Sequence, residues 1–142
     1  MTKVLLAEDN EFSRDMLMRR LQRQGMEVVS ATNGREAVNA ARRDHPDVIL
    51  MDLDMPVMDG YAATRAIKSD PRTFKIPVIV LTAHAAPEDV AEALASGCQA
   101  FEAKPVVLRR LLDRIEEALA SAGRPTPVPN APAEPEDPAP SP

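Results

Sequence analysis

Five aliphatic runs alternate with stretches of helical period along the first 120 residues, and that alternation narrows the fold more than any other feature of the chain. Residues 3–7, 27–31, 47–51, 76–81 and 99–103 read as buried strands. Between them lie stretches with apolar residues three and four apart. The spacing of Met16, Leu17 and Leu21 predicts a helix over 12–24. Ala37, Val38 and Ala41 predict one over 35–44, and further helices are expected over 60–68 and 87–96. Val107, Leu108, Leu111, Leu112, Ile115 and Leu119 give the clearest stripe, over 107–120. Gly25, His45-Pro46, Asp70-Pro71 and Gly97 supply stop signals, and Pro87 suits a first helical turn. The run at 47–51 is the most continuously apolar and is expected at the centre of the sheet.

Strands and helices in strict alternation imply an α/β domain: a doubly wound parallel sheet with helices on both faces and right-handed crossovers. In such a sheet the carboxyl ends of the strands share one rim, where ligands bind. Four short signals fall at that rim: Glu8-Asp9-Asn10, Asp52, Thr82 and Lys104-Pro105. Far apart in sequence, they are expected to meet in space.

Composition removes several classes of function. Of the 142 residues 44% are hydrophobic, enough for a packed core. Only 3% are aromatic, so that core must be aliphatic and Met-based. The net charge of −5 and the lack of a basic run argue against nucleic acid and anionic lipid as partners. The N-terminus reaches Glu8 too soon for a signal peptide, and no apolar stretch is long enough to span a membrane. A single cysteine, Cys98, precludes an internal disulfide. The expectation is a cytoplasmic protein. Domain boundaries are expected at 1–122 for the folded domain and 123–142 for a tail. That tail holds eight of the fourteen prolines. It has too few large aliphatics to offset ordering entropy, and is read as disordered and extended. Its PxxP spacing, Pro129 to Pro132, is compositional, and the tail is taken as a spacer.

Glu8, Asp9 and Asp52 form a set of carboxylates whose mutual repulsion calls for a cation. Mg²⁺ prefers oxygen ligands, few protein carboxylates, several waters and phosphate oxygens, so a half-open Mg²⁺ site is expected. The alternative is three solvated acids, each with its own cap or turn. Asp52, held by the buried run before it, is the expected nucleophile, since a carboxylate can attack a phosphoryl group to give an acyl phosphate. Asp54 offers a backbone carbonyl to the metal. Lys104 supplies positive charge on the other side, Thr82 offers a hydroxyl, and a cis bond before Pro105 is a way to hold Lys104 in place.

The segments VLLAEDN, PDVILMDLDMPVMDG, IPVIVLTAHA and GCQAFEAKPV, in this order and spacing, resemble the receiver domain of two-component response regulators. The likeness runs from Lys3 to about Ala120 and is strongest to single-domain regulators of the chemotaxis and cell-division kind. It implies a five-stranded flavodoxin-like (βα)5 sheet of order 2-1-3-4-5. It implies Asp52 as phosphoacceptor from a histidine kinase or histidine phosphotransfer protein, with Mg²⁺ organised by Asp9 directly and Glu8 through water. Lys104 would contact the phosphoryl group, Thr82 would be the switch hydroxyl and Phe101 the switch aromatic. The protein would be a signalling phosphoacceptor and not an enzyme in the usual sense. The controlled surface would be the fourth helix, fifth strand and fifth helix, where Arg109, Arg110, Arg114, Glu116 and Glu117 are candidates for contact with a downstream protein. A phosphorylation-linked homodimer is also compatible. Phe12, Ser13, Arg14 and Met16 on the first helix would meet the phosphodonor. Asp54 and His84, each two residues past a site residue, would tune dephosphorylation.

Other classes fit less well. A flavodoxin-type FMN carrier would want a phosphate-cradling first loop and aromatics for the flavin. An Asp-x-Asp phosphatase would carry its nucleophile after the first core strand, and usually a cap domain. A pseudo-receiver would not need Asp52, Thr82 and Lys104 together. An excised receiver of a hybrid kinase remains an alternative, although Met1 just before the first strand favours a complete protein, acting through protein contact without a DNA-binding output.

Overall fold

The computed structural model describes residues 1–83 and 86–121. The tail expected at 123–142 and the tuning residue His84 lie outside the described residues. The elements run β1 (Lys3–Ala7), α1 (Glu11–Arg23), β2 (Glu27–Ala31), α2 (Gly34–Asp44), β3 (Val48–Asp52), α3 (Gly60–Lys68), β4 (Val78–Thr82), α4 (Pro87–Ala95), β5 (Ala100–Ala103) and α5 (Leu108–Ala120). All five strands pair in parallel, in the order β2-β1-β3-β4-β5. This is the flavodoxin-like order expected above, with β3 at the centre and every one of its residues buried.

The sheet separates two aliphatic layers, because successive strand residues point to opposite faces. On one face Leu5, Ile49, Met51, Val78 and Val80 pack against Ala37, Val38 and Ile67 from α2 and α3, with Ala93 of α4 at the edge. On the other, Val4, Leu6, Leu50, Ile79 and Leu81 pack against Leu17 and Leu21 of α1 and Leu111 and Ile115 of α5. Cys98 is fully buried.

The expected boundaries shift by a residue or two in ways that matter at the rim. Asp52 and Thr82 are the last residues of β3 and β4 rather than the first of their loops, because parallel pairing continues through them: Asp52 is level with Leu81, and Thr82 with Ala103. Asp47, Ile76, Pro77 and Gln99 fall before their strands, and Val107 is the N-cap of α5. At the opposite rim, buried Asp70 gathers Arg42 at 2.9 Å and Arg72 at 3.0 Å. These contacts, Arg72 foremost, hold its carboxyl well below the usual range and tie α2 to the α3–β4 turn.

Candidate functional site

Each of the four rim signals is positioned by backbone. Glu8 follows β1, and its N–H donates to the Ala31 carbonyl at 3.0 Å, which continues the β1–β2 ladder past Ala7. Its side chain is turned inward, with the residue only 5% exposed. The Asn10 N–H caps the Glu8 carboxylate at 3.2 Å, and an Arg14 guanidinium N–H donates to the Glu8 carbonyl at 3.0 Å. Lys104 stands one step past β5, its N–H donating to the Thr82 carbonyl at 2.7 Å. The Lys104–Pro105 bond is cis, in line with the expectation from sequence.

The loop after Asp52 is drawn tight against α3. Leu53 donates its N–H to Leu81 at 3.2 Å and accepts from the Gly60 N–H at 3.0 Å. A Cβ at Gly60 would land on the Asp52 carbonyl oxygen and crowd Leu53, so only glycine allows this approach. Gly34 plays the same part beside the Met58 carbonyl. Val57, in the middle of the loop, sits at φ 70 with 79% of its surface exposed, a left-handed conformation unfavourable for a β-branched residue.

The result is one compact charged cluster. Carboxylate oxygens of Glu8, Asp9 and Asp52 lie within 4.8 Å of one another, with Asp9 exposed and the other two buried. The Lys104 ammonium lies 3.0 Å from Asp52 Oδ1 and 3.1 Å from Glu8 Oε1. Thr82 is only 4% exposed at the end of the neighbouring strand. Burial pushes the Asp52 carboxyl up to about 6, aided by the Glu8 charge and only partly offset by Lys104. For Lys104 the balance is the reverse. Burial acts against its charge, but the hydrogen bond and charge of Asp52, with Glu8 behind, keep its pKa above the ordinary value. Both directions fit a lysine surrounded by more negative charge than it can neutralise. Such a donor set, two buried oxygens and one exposed, suits a hard divalent cation that keeps part of its water shell.

Phe101 is half-buried in β5, level with Val80 and packed against the layer that holds Met51. Asp54 is exposed and lines a neighbouring cleft with Thr82, Tyr61 and Asp89. On α1, Phe12 is 73% exposed. Ser13 and Met16 border a cleft of about 350 Å³ that also reaches Glu8, Lys104 and Pro105.

Two residues at this end of the molecule escape a sequence reading. Glu102 is buried on β5, and it holds Arg114 at 3.0 Å and Arg110 at 3.5 Å. Of the five charged side chains expected as contact candidates, Arg110, Arg114 and Glu117 make ion pairs within the fold, although Arg110 and Glu117 stay exposed like Arg109 and Glu116. The four-residue interval between Arg110 and Arg114, opposite an acid in the adjoining strand, was the available signal. Tyr61 of α3 reaches α4 through its hydroxyl, and nothing in the sequence announces that contact.

This arrangement has close counterparts. Residues 4–116 match the response regulator receiver domain family, and the chain belongs to that family. It is a receiver-domain response regulator of two-component signalling. It is 36% identical over 123 residues to the polar-differentiation response regulator DivK of Brucella ovis, across 86% of this chain and 100% of that protein. It is similar to the receiver domain of the sensor histidine kinase PA1611 of Pseudomonas aeruginosa PAO1, whose crystal structure has a magnesium ion coordinated in the active site cleft. There the TM-score is 0.79 and the identity 34%, over 84% of this chain and 98% of that one. It is also similar to a chain of the CheX–CheY complex with BeF3 and magnesium from Borrelia burgdorferi, with TM-score 0.76 and 25% identity over 82% and 87% of the two chains. Among the described residues, no helix is long and apolar enough to cross a membrane.

Proposed function

We propose that Asp52 accepts a phosphoryl group from the phosphohistidine of a histidine kinase or phosphotransfer protein, in the cytoplasm. The observation that carries this reading is the buried Asp52 carboxylate, 3.0 Å from Lys104 and inside the Glu8–Asp9 cluster. An Asp52 carboxylate oxygen attacks phosphorus, the phosphorus–nitrogen bond to the donor imidazole breaks, and the electron pair leaves with that nitrogen. Lys104 would neutralise charge on the transferring oxygens, and Thr82 would donate its hydroxyl to one of them. Glu8, Asp9, Asp52 and the Asp54 carbonyl would hold Mg²⁺. When bound, the ion supplies Lewis-acid stabilisation of the phosphoryl oxygens. Burial of Asp52 keeps bulk water from its backbone side, and Asp54, which is exposed, would slow hydrolysis by its charge, while His84 would also tune phosphoryl lifetime.

Phosphorylation adds charge and acceptor oxygens. Thr82 would shift toward them, and Phe101 would turn inward. The surface of α4, β5 and α5 would then change its affinity for a downstream protein. The cleft bordered by Ser13 and Met16, with exposed Phe12 on the same helix, supports docking of the phosphodonor on α1. Residues 1–122 would form the receiver, with 123–142 a spacer, and output by protein contact in a single-domain regulator. Wild type and Asp52→Asn incubated with acetyl phosphate and Mg²⁺ test the acceptor by intact mass. One phosphoryl increment, acid-labile and confined to wild type, is expected. An increment in both proteins, or in neither, overturns the assignment.

A further inference from the structure

Among the described helices, α4 buries the fewest residues. Of its nine residues only Ala93 is buried, and Ala86 at its N-cap makes no side-chain capping bond. A side chain reaches it from across a cleft: the Tyr61 hydroxyl, in the first turn of α3, donates to the Asp89 carbonyl oxygen at 3.3 Å. Tyr61 and Asp89 face the same cleft as Thr82, a space of about 150 Å³.

The two ends of this bond differ in firmness. Tyr61 stands on a helix capped by Asp59, whose carboxylate accepts from the Ala62 N–H at 2.9 Å, and pinned by the Gly60 bond to Leu53. Its ring packs against the buried layer under the sheet. Asp89 stands on the helix that follows Thr82. Burial raises the Tyr61 phenol pKa, and the charges of Glu92, Asp89, Asp54 and Asp59 raise it further. The hydroxyl therefore keeps its proton and remains a donor.

We propose that Tyr61 is a tether. Its hydroxyl holds the first turn of α4 in the arrangement where Lys104 pairs with Asp52, and so sets how readily the response surface switches. The inference rests on the phosphoacceptor reading and adds to it a positioning residue on α3. A bond made in one arrangement and lost in the other shifts the equilibrium by its full differential worth. For a neutral hydroxyl–carbonyl bond that is about three- to tenfold. Phenylalanine would keep the ring and its packing and lose only the donor.

The test compares the full-length wild type with Tyr61→Phe. Amide hydrogen exchange is followed in α4 and α1, and beryllofluoride is titrated with Mg²⁺ present. Fluorescence of Tyr61, the sole tyrosine in a chain without tryptophan, serves as a second probe in the wild type. We expect exchange in Tyr61→Phe to be several-fold faster over 87–95 and unchanged over 11–23, with half-saturation at about three- to tenfold less beryllofluoride. Equal α4 exchange and equal affinity in the two proteins overturn the tether and leave the phosphoacceptor reading intact. A wild type that takes up no beryllofluoride overturns both.

Discussion

Helices α1, α2 and α3 each begin on a side chain that caps them, whereas α4 and α5 begin on Ala86 and Val107, which cannot. Asn10 accepts from the Ser13 N–H at 2.9 Å, Asn33 from Glu36 at 2.8 Å and Asp59 from Ala62 at 2.9 Å. A cap of this kind contributes about 1 kcal/mol. Helix α5 makes up for its missing cap with buried Leu111, Ile115 and Ala118, but α4 has only Ala93. The carboxylates sit in the capped half, where their mutual geometry must survive repulsion. The surface assigned to output lies in the less firmly held half. The proposed metal-binding frame and the proposed response element would place opposite demands on anchoring, and they fall in different segments of the chain.

Four substitutions probe that contrast. Lys104 joins the halves, so Lys104→Ala is expected to slow phosphorylation by acetyl phosphate about 10²-fold, the effect of losing one charge-stabilising donor. A rate within threefold of wild type would detach Lys104 from the chemistry. Within the rigid half, Gly60→Ala drives a methyl group onto the Asp52 carbonyl. It is expected to cost about 2–3 kcal/mol in urea unfolding, and an unchanged midpoint would mean that the loop is not held as tightly as described.

Asp52→Asn tests the strain within the frame through pH. The folded carboxyl titrates near 6 against an ordinary value of 3.8. Between those values the folded state binds more protons than the unfolded one, so this group's contribution to stability declines as pH rises through that window. With chelator present, Asp52→Asn is therefore expected to exceed wild type by on the order of 2 kcal/mol at pH 7.5, with the gain fading by pH 4. A gain independent of pH would contradict a desolvated acid as its source. The smallest effect comes from lending the movable half a cap. Ala86 already has extended backbone, at φ −64 and ψ 154, and Ala86→Ser is expected to add about 0.5 kcal/mol. It should also slow amide exchange in α4. Stabilisation without slower α4 exchange would show that the helix is held by something other than its first turn.

Much of this was legible before any coordinates. The aliphatic runs lie within a residue or two of the strands, and β3 is central as its unbroken apolarity suggests. Asp52 and Thr82 were expected one residue past their strands but close them, because a ladder ends where its neighbour stops pairing and not where apolarity stops. Glu102 looked like an ordinary polar residue in a short strand. Its burial follows from two arginines on a helix that crosses behind it. The Tyr61 contact was not legible because its hydroxyl partner is a backbone carbonyl, and the sequence does not reveal which backbone lies across a cleft.

By itself the sequence determined the alternation of elements and the residues offered at the rim. Those depend on local period and turn chemistry, which a short window contains. Only the tertiary structure decided who meets whom: Lys104 with Glu8 across 96 positions, Arg114 with Glu102, Tyr61 with α4. Such contacts depend on strand order and register, which are settled when distant strands pair and both faces of the sheet are covered at once.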